Sequence, residues 1–135
     1  MTELVLLASF LIAFAIGSND ASNALSISIG AGVIKLKRAI FLFGILVFLG
    51  IWLNGNRVME TVGKNLIEIH SKTLGFSLLI SAILIILSNW KKLPLSTHQI
   101  IIGSLIGNAF AEGSTINFIS LLKILLSWII SPITA

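Results

Sequence analysis

Apolar positions along the chain fall into five blocks: Leu4 to Ile16 with a continuation from Ala21 to Ile34, Ala39 to Leu53, Leu74 to Trp90, Ile100 to Ala111, and Ile116 to Ile133. A bilayer core of about 30 Å takes roughly 20 residues of helix per crossing, so these blocks read as helical membrane segments. The third and fifth approach the length of a simple spanning helix, whereas the first and fourth are short and abut polar clusters. Between the second and third blocks, Arg57, Glu60, Lys64, Glu68 and Lys72 recur at spacings of three or four, with Val58, Val62, Leu66 and Ile69 between them. That pattern predicts an amphipathic helix over Asn56 to Lys72, lying at the interface or on the protein's own surface.

Composition narrows the class. Of the 135 residues, 56% are hydrophobic and 10% charged, and the mean hydropathy is +1.07. A soluble domain carries about 25% charged residues, so the chain is an all-α integral membrane protein, a single transmembrane domain over residues 1–135, multi-pass in the cell membrane. The net charge of +4 does not point to nucleic acid, because Lys35, Lys37, Arg38, Lys91 and Lys92 lie between apolar runs rather than in a basic stripe with interleaved aromatics. If spans alternate, those five fall on one side and Arg57, Lys64 and Lys72 on the other, which favours an external N-terminus. Leu4 to Phe14 has the length of a signal-peptide core and Ala13-Phe14-Ala15 resembles a cleavage site, but Glu3 and the lack of Lys or Arg before it argue against cleavage. The chain contains no cysteine, so disulfides and thiolate metal sites are excluded.

The polar clusters carry the candidate chemistry. "GSNDASNAL", residues 17–25, places Ser18, Asn19, Asp20, Ser22 and Asn23 where a helix should still be crossing. Each unsatisfied backbone group in hydrocarbon costs several kcal/mol, so a break there, with Gly17 supplying it, is tolerable only beside protein or a water-filled cavity. Beyond it, Asn19, Asn23, Ser26 and Gly30 recur at helical spacing and give the continuing half-helix one polar face. A capping role for Asn19 or Asp20 explains one polar residue, not five in six positions, and an ionisable residue such as Asp20 within a span marks a functional site.

In "LPLSTHQIIIGSLIG", residues 93–107, Pro94 stops the preceding helix, and Ser96 with Gln99 has capping-box spacing, so a new half-helix starts at Ser96 or Thr97. Its terminus would favour an anion. Gly103, Gly107 and Ala111 form a small-residue stripe suited to close helix packing. His70 and His98 have no companion at i+3 or i+4, which argues against zinc, and no catalytic constellation is present, so the chain reads as no enzyme. Two interrupted segments with polar starts are the pattern of a secondary transporter's binding site.

These stretches resemble a known family. "GSNDASNALSISIGAGVI" is similar to the GANDxxNxxGxxxGSGxx signature of the inorganic phosphate transporter (PiT) family, and "LPLSTHQIIIGSLIG" to its PVSTTHAIVGAIVG stretch. "ILLSWIISPI" and "NRVMETVGKNLI" are similar to further segments of it. The resemblance implies phosphate uptake with Na+ or H+ by a fold of two inverted repeats, of which this chain shows one: five helical segments, two of them broken or half-helices. It also implies a second half, from a partner or from an inverted copy of the chain in a homodimer. By position, Asn19, Asp20 and Asn23 match the substrate- and ion-binding residues of the first motif, with Asp20 and Asn23 as ligands for Na+; Ser96 and Thr97 match the second. His98 stands where the family usually has a second Thr, and Gln99 where His or Gln occurs.

Elementary electrostatics adds a coupling argument. Phosphate and the Asp20 carboxylate, at 4 Å and an effective dielectric near 20, repel by about 4 kcal/mol. With no Lys or Arg inside the two motif cores, a Na+ at Asp20 or a proton on it would neutralise the pair, which is symport. No cofactor other than the coupling ion is implied. The alternatives are a sulfate or related oxyanion permease, and a non-transporting membrane subunit that associates with a full-length carrier.

Overall fold

The computed structural model describes residues 2–60, 66, 71–93 and 95–134. Among these the fold is all-α, in the order α1 (Thr2–Gly30), α2 (Leu36–Glu60), α3 (Ser71–Lys91), α4 (Thr97–Glu112) and α5 (Phe118–Thr134). Three of the helices, α1, α2 and α3, are long and apolar enough to cross a bilayer, which makes the chain a multi-pass membrane protein. α5 is a shorter apolar helix of 17 residues. The first and second blocks form helices longer than their apolar runs alone suggest, because each recruits polar flanking residues. The predicted amphipathic helix lies for the most part outside the described residues; residues 56–60 are the last turn of α2 and 71–72 the first of α3.

The expected break at Gly17 is absent, since α1 runs unbroken for 29 residues. The polar side chains are satisfied without opening the helix. Ser18 Oγ donates to the Ala15 carbonyl at 2.8 Å and Ser22 Oγ to the Ser18 carbonyl at 2.7 Å. With those bonds made, Gly17 in mid-helix costs only about 1 kcal/mol relative to alanine. The other predicted interruption is present: α4, of 16 residues, begins anew after the turn that follows Lys91. Ser96 is its N-cap with extended backbone, but its side chain makes no capping bond, so the predicted capping box is not formed.

α3 is the central element, packed along α1 on one side and α4 on the other. α1 and α3 run parallel with a constant offset: Gly75 lies against Leu4 and Val5, and Asn89 bonds Ser18 and Asn19, 71 and 70 residues away. The residues that meet recur at alternating intervals of three and four, Val5, Ala8, Ile12, Ala15 and Asn19 on α1 and Gly75, Leu78, Ala82, Ile85 and Asn89 on α3. This is the seam of two parallel helices packed at a shallow angle, with small residues allowing close approach. Parallel packing brings Lys35, Lys37 and Arg38 and the pair Lys91 and Lys92 to the same end of the molecule, as the alternation of spans predicts.

Ile12, Ala15, Ala82 and Ile85 form one buried cluster, and Leu66, Ile102, Leu105 and Ala109 a second, onto which α5 lays Leu121, Ile124 and Trp128. Asn117 caps α5, its Oδ1 accepting from the main-chain N–H of Ile119 and Ser120 at 3.1 Å. α2 touches the bundle near its start, where Ala39 is buried, and otherwise exposes Phe41, Phe48 and Trp52. The stripe Gly103, Gly107 and Ala111 faces outward with open space around the glycines, so α4 packs on α3 through its other face.

The close approach at Gly75 gives a test. An added Cβ meets Leu4 and Val5 at 3.4 Å, ordinary contact, but a longer side chain would drive α1 and α3 apart. Gly75→Ala should leave thermal stability in detergent nearly unchanged, and Gly75→Leu should lower it by about 1–3 kcal/mol.

Candidate functional site

At the end of the α1–α3 seam the packing residues become polar. Asn19, 7% exposed, donates from Nδ2 to Asn89 Oδ1 at 2.7 Å. Its own Oδ1 accepts from Asn23 Nδ2 at 3.0 Å, and Asn89 Nδ2 donates to Ser18 Oγ at 3.1 Å. The bonds run in one direction, Asn23 to Asn19 to Asn89 to Ser18, and end on the Ala15 carbonyl. Each carboxamide spends one of its two N–H groups in this chain and retains the other.

Ser18, Asn19, Ser22, Asn23, Asn89 and Lys92, with Leu93, line an open cleft of about 430 Å³. Its polar lining is donors and carboxamides, with no carboxylate among the lining residues. Asp20 is turned to a different neighbour. Half-buried, it accepts at Oδ1 from the hydroxyl of buried Thr97 at 3.3 Å, where α4 begins and its dipole favours negative charge. His98 Nδ1 lies 3.4 Å from the same hydroxyl.

The site lies level with the last turn of α3. α1 is about 42 Å long and the apolar core about 30 Å, so an upright crossing leaves at most about 12 Å of slack. Asp20 is ten residues before Gly30, about 15 Å along the axis, and so lies level with the end of α3 while α1 runs on. Asn89 is held beside Asn19, so α3 ends at this level, while α1 continues to Gly30. The turn from α3 to α4 therefore stops short of the end of α1. Ser88 staples that turn, its Oγ donating to the Leu93 carbonyl at 2.8 Å.

Of the six residues that the sequence points to, Asn19, Asp20, Asn23 and Thr97 are brought together; Ser96 and Gln99 lie exposed on the outer side of the α4 start. Asp20 and Asn23, read together as Na+ ligands, have different partners, Thr97 and Asn19. Asn89 and Lys92 belong to the cleft and sequence reading passed over them. Asn89 sits at the end of an apolar block, and the three-four spacing from Gly75 through Ile85 that would have put it on the α1 seam is visible in the sequence.

A sequence profile described as the phosphate transporter family matches residues 16–135. Among similar proteins, one named as a candidate phosphate permease, from Pyrococcus furiosus, is 36% identical over 141 residues, covering 96% of this chain and 34% of the relative. The sodium-dependent phosphate transporter 1 of Rattus norvegicus is 33% identical, with 86% of this chain and 19% of that protein covered. The chloroplastic inorganic phosphate transporter 2-1 of Arabidopsis thaliana is 32% identical, with 95% and 24% covered. The chain spans about a third of the length of the Pyrococcus relatives it matches. No solved structure gives a significant match.

The Asn19–Asn89 pair can be tested by a double-mutant cycle. Asn89→Leu should destabilise the folded chain by about 1 kcal/mol, since it strands the buried Asn19 amide. Adding Asn19→Leu should recover part of that loss in thermal unfolding, because two apolar partners need no hydrogen bond.

Proposed function

The chain belongs to the phosphate transporter family, and on that premise we propose that it is one half of a carrier that moves inorganic phosphate across the membrane with Na+ or H+. The observation that carries this reading is the division of labour at the end of the α1–α3 seam. Asp20 faces Thr97 at the start of α4, and the carboxamides of Asn19, Asn23 and Asn89 face a separate cleft without a carboxylate.

In this reading the cleft holds the anion through amide N–H groups and the hydroxyls of Ser18 and Ser22. Asp20 carries the coupling ion, a Na+ shared with neighbouring oxygens or a proton. The two loads sit on adjacent faces of one helix, close enough for their charges to interact and far enough apart to have separate ligands. A cation at Asp20 lowers the electrostatic cost of phosphate entry and phosphate in turn favours the cation, which is the thermodynamic linkage that symport requires.

A second half supplies the remaining contacts. Ser96, Gln99, Gly103 and Gly107 all lie on the exposed side of α4, and a partner laid on this side would bring the motif residues Ser96 and Gln99 into the site and pack against the glycines. The partner is either another repeat or an antiparallel copy of this chain, as the small Lys and Arg imbalance between the two sides would permit. Cysteines introduced near both termini that label from one side only would exclude the antiparallel copy.

In proteoliposomes, phosphate uptake should follow an imposed Na+ or H+ gradient and resist excess sulfate. Asp20→Asn should abolish gradient-driven accumulation. Normal accumulation by that variant would remove Asp20 from the coupling role, and equal inhibition by sulfate would replace phosphate with a broader oxyanion substrate.

A further inference from the structure

α1, α3 and α4 end in the same backbone motif. At α1, Gly32 N–H bonds the Ile29 carbonyl at 3.0 Å and Val33 N–H the Ser28 carbonyl at 3.0 Å; at α4, Gly113 bonds Phe110 at 3.2 Å and Ser114 bonds Ala109 at 2.9 Å. At α3 the pair is Lys92 to Asn89 at 3.2 Å and Leu93 to Ser88 at 3.0 Å. This double closure places the turning residue in the left-handed region, with φ of 73° at Gly32, 69° at Gly113 and 54° at Lys92. Glycine enters that region freely, whereas a side chain is sterically opposed there. Lys92 is the one non-glycine residue with positive φ among the described residues.

The usual reasons for a basic residue at a helix end do not account for this choice. Lysine complements the negative end of the helix dipole, but Lys91 already supplies that charge, its Nζ resting 5.8 Å from the Trp90 ring centroid. Lys92 lines the carboxamide cleft with Asn19, Asn23 and Asn89. It lies one turn beyond Asn89, exposed at the end of the α3 crossing, where its stem can carry the ammonium group to water or to an anionic partner. A strained backbone that places a charge in a donor-lined cleft is the kind of outlier that points to a ligand.

We propose that Lys92 is the charged contact for the anion in this cleft. Its ammonium group draws in a tetrahedral oxyanion and holds it against the spare N–H groups of Asn19, Asn23 and Asn89. The identity of that anion as phosphate rests on the carrier reading above; the role of Lys92 does not. The turn stapled by Ser88 fixes where the lysine stem starts, and Asp20, with its separate partner Thr97, is left to the cation.

The test is equilibrium binding of labelled phosphate and, separately, labelled sulfate to the whole chain in lipid nanodiscs at several ionic strengths. Wild type is compared with Lys92→Gly, Lys92→Gln, Lys92→Arg and Lys91→Gly. Lys92→Gly should weaken anion binding about tenfold or more, the effect of losing a charge-assisted contact, and flatten its salt dependence. Its thermal stability should be equal to wild type or higher, since glycine relieves the turn. Lys92→Gln should show the same loss of binding, Lys92→Arg should retain affinity within a few-fold, and Lys91→Gly should leave it unchanged.

A purely structural cap gives the opposite result, because glycine is the better residue at this φ and would preserve binding. Phosphate bound equally by wild type and Lys92→Gly overturns the assignment of Lys92 and leaves the carrier reading intact. Sulfate binding that depends on Lys92, with no phosphate binding, supports the assignment and overturns the phosphate reading. Folded wild type that binds neither anion overturns the proposal.

Discussion

The Asn19–Asn89 hydrogen bond is where the demands of the bilayer and of the site meet. In hydrocarbon neither carboxamide can be left without a partner, and each is placed on the seam between two parallel helices where the other can meet it. An amide pair with one member buried at a seam position penalises other registers, because a shift of either helix takes the buried Asn19 from its partner. The constant offset of α1 and α3, from Gly75 against Leu4 to Asn89 against Ser18, follows from that pair at one end and from close packing of small residues at the other. The pair that sets the register also stands in the wall of the cleft.

α3 carries a second polar seam toward α4. Thr73, Ser77, Ser81 and Ser88 are buried along it. Asn108 donates to the Thr73 carbonyl at 2.9 Å and to Ser77 Oγ at 3.2 Å, and the Thr73 hydroxyl bonds the Glu112 carboxylate. Small hydroxyl residues let the helices approach closely while returning their own hydrogen bonds to the helix, as Ser81 does to the Ser77 carbonyl at 2.7 Å. α4 is thus held at the end remote from the cleft by polar contacts and along its middle by Ile102 and Leu105, and its first turn is delivered to Asp20. By contrast, α2 and α5 present wide apolar surfaces, including Phe48, Trp52, Ile129 and Ile133, that suit lipid or a partner.

Charge is distributed at the site in a way that two-body electrostatics makes sense of. A carboxylate among the cleft's amides would oppose an anion there by several kcal/mol at contact distance, even with substantial screening. Asp20 is adjacent to Asn19 in sequence, but one step along a helix turns a side chain by about 100°, so the two have separate neighbours, Thr97 and Asn89. The helix that supplies amides to the cleft thus also supplies the carboxylate that faces α4.

The sequence by itself determined the membrane class, the helical segments and the two polar clusters, because hydropathy and local punctuation are properties of neighbouring residues. It placed Asn19, Asp20, Asn23 and Thr97 among the candidate residues and the start of α4 beside Pro94. It misjudged Gly17, since whether a helix opens at a glycine depends on where the adjacent polar groups find partners, and Ser18, Ser22 and Asn19 found theirs on carbonyls of the same helix and on α3. Only the tertiary structure decided that Asn89 completes the amide chain, that Lys92 occupies a left-handed turn in the cleft wall, and that Asp20 faces α4 instead of that cleft. The first and last of these rest on contacts between residues 70 and 77 positions apart, set by how separate helices pack, and the second on a backbone conformation that side chains ordinarily avoid.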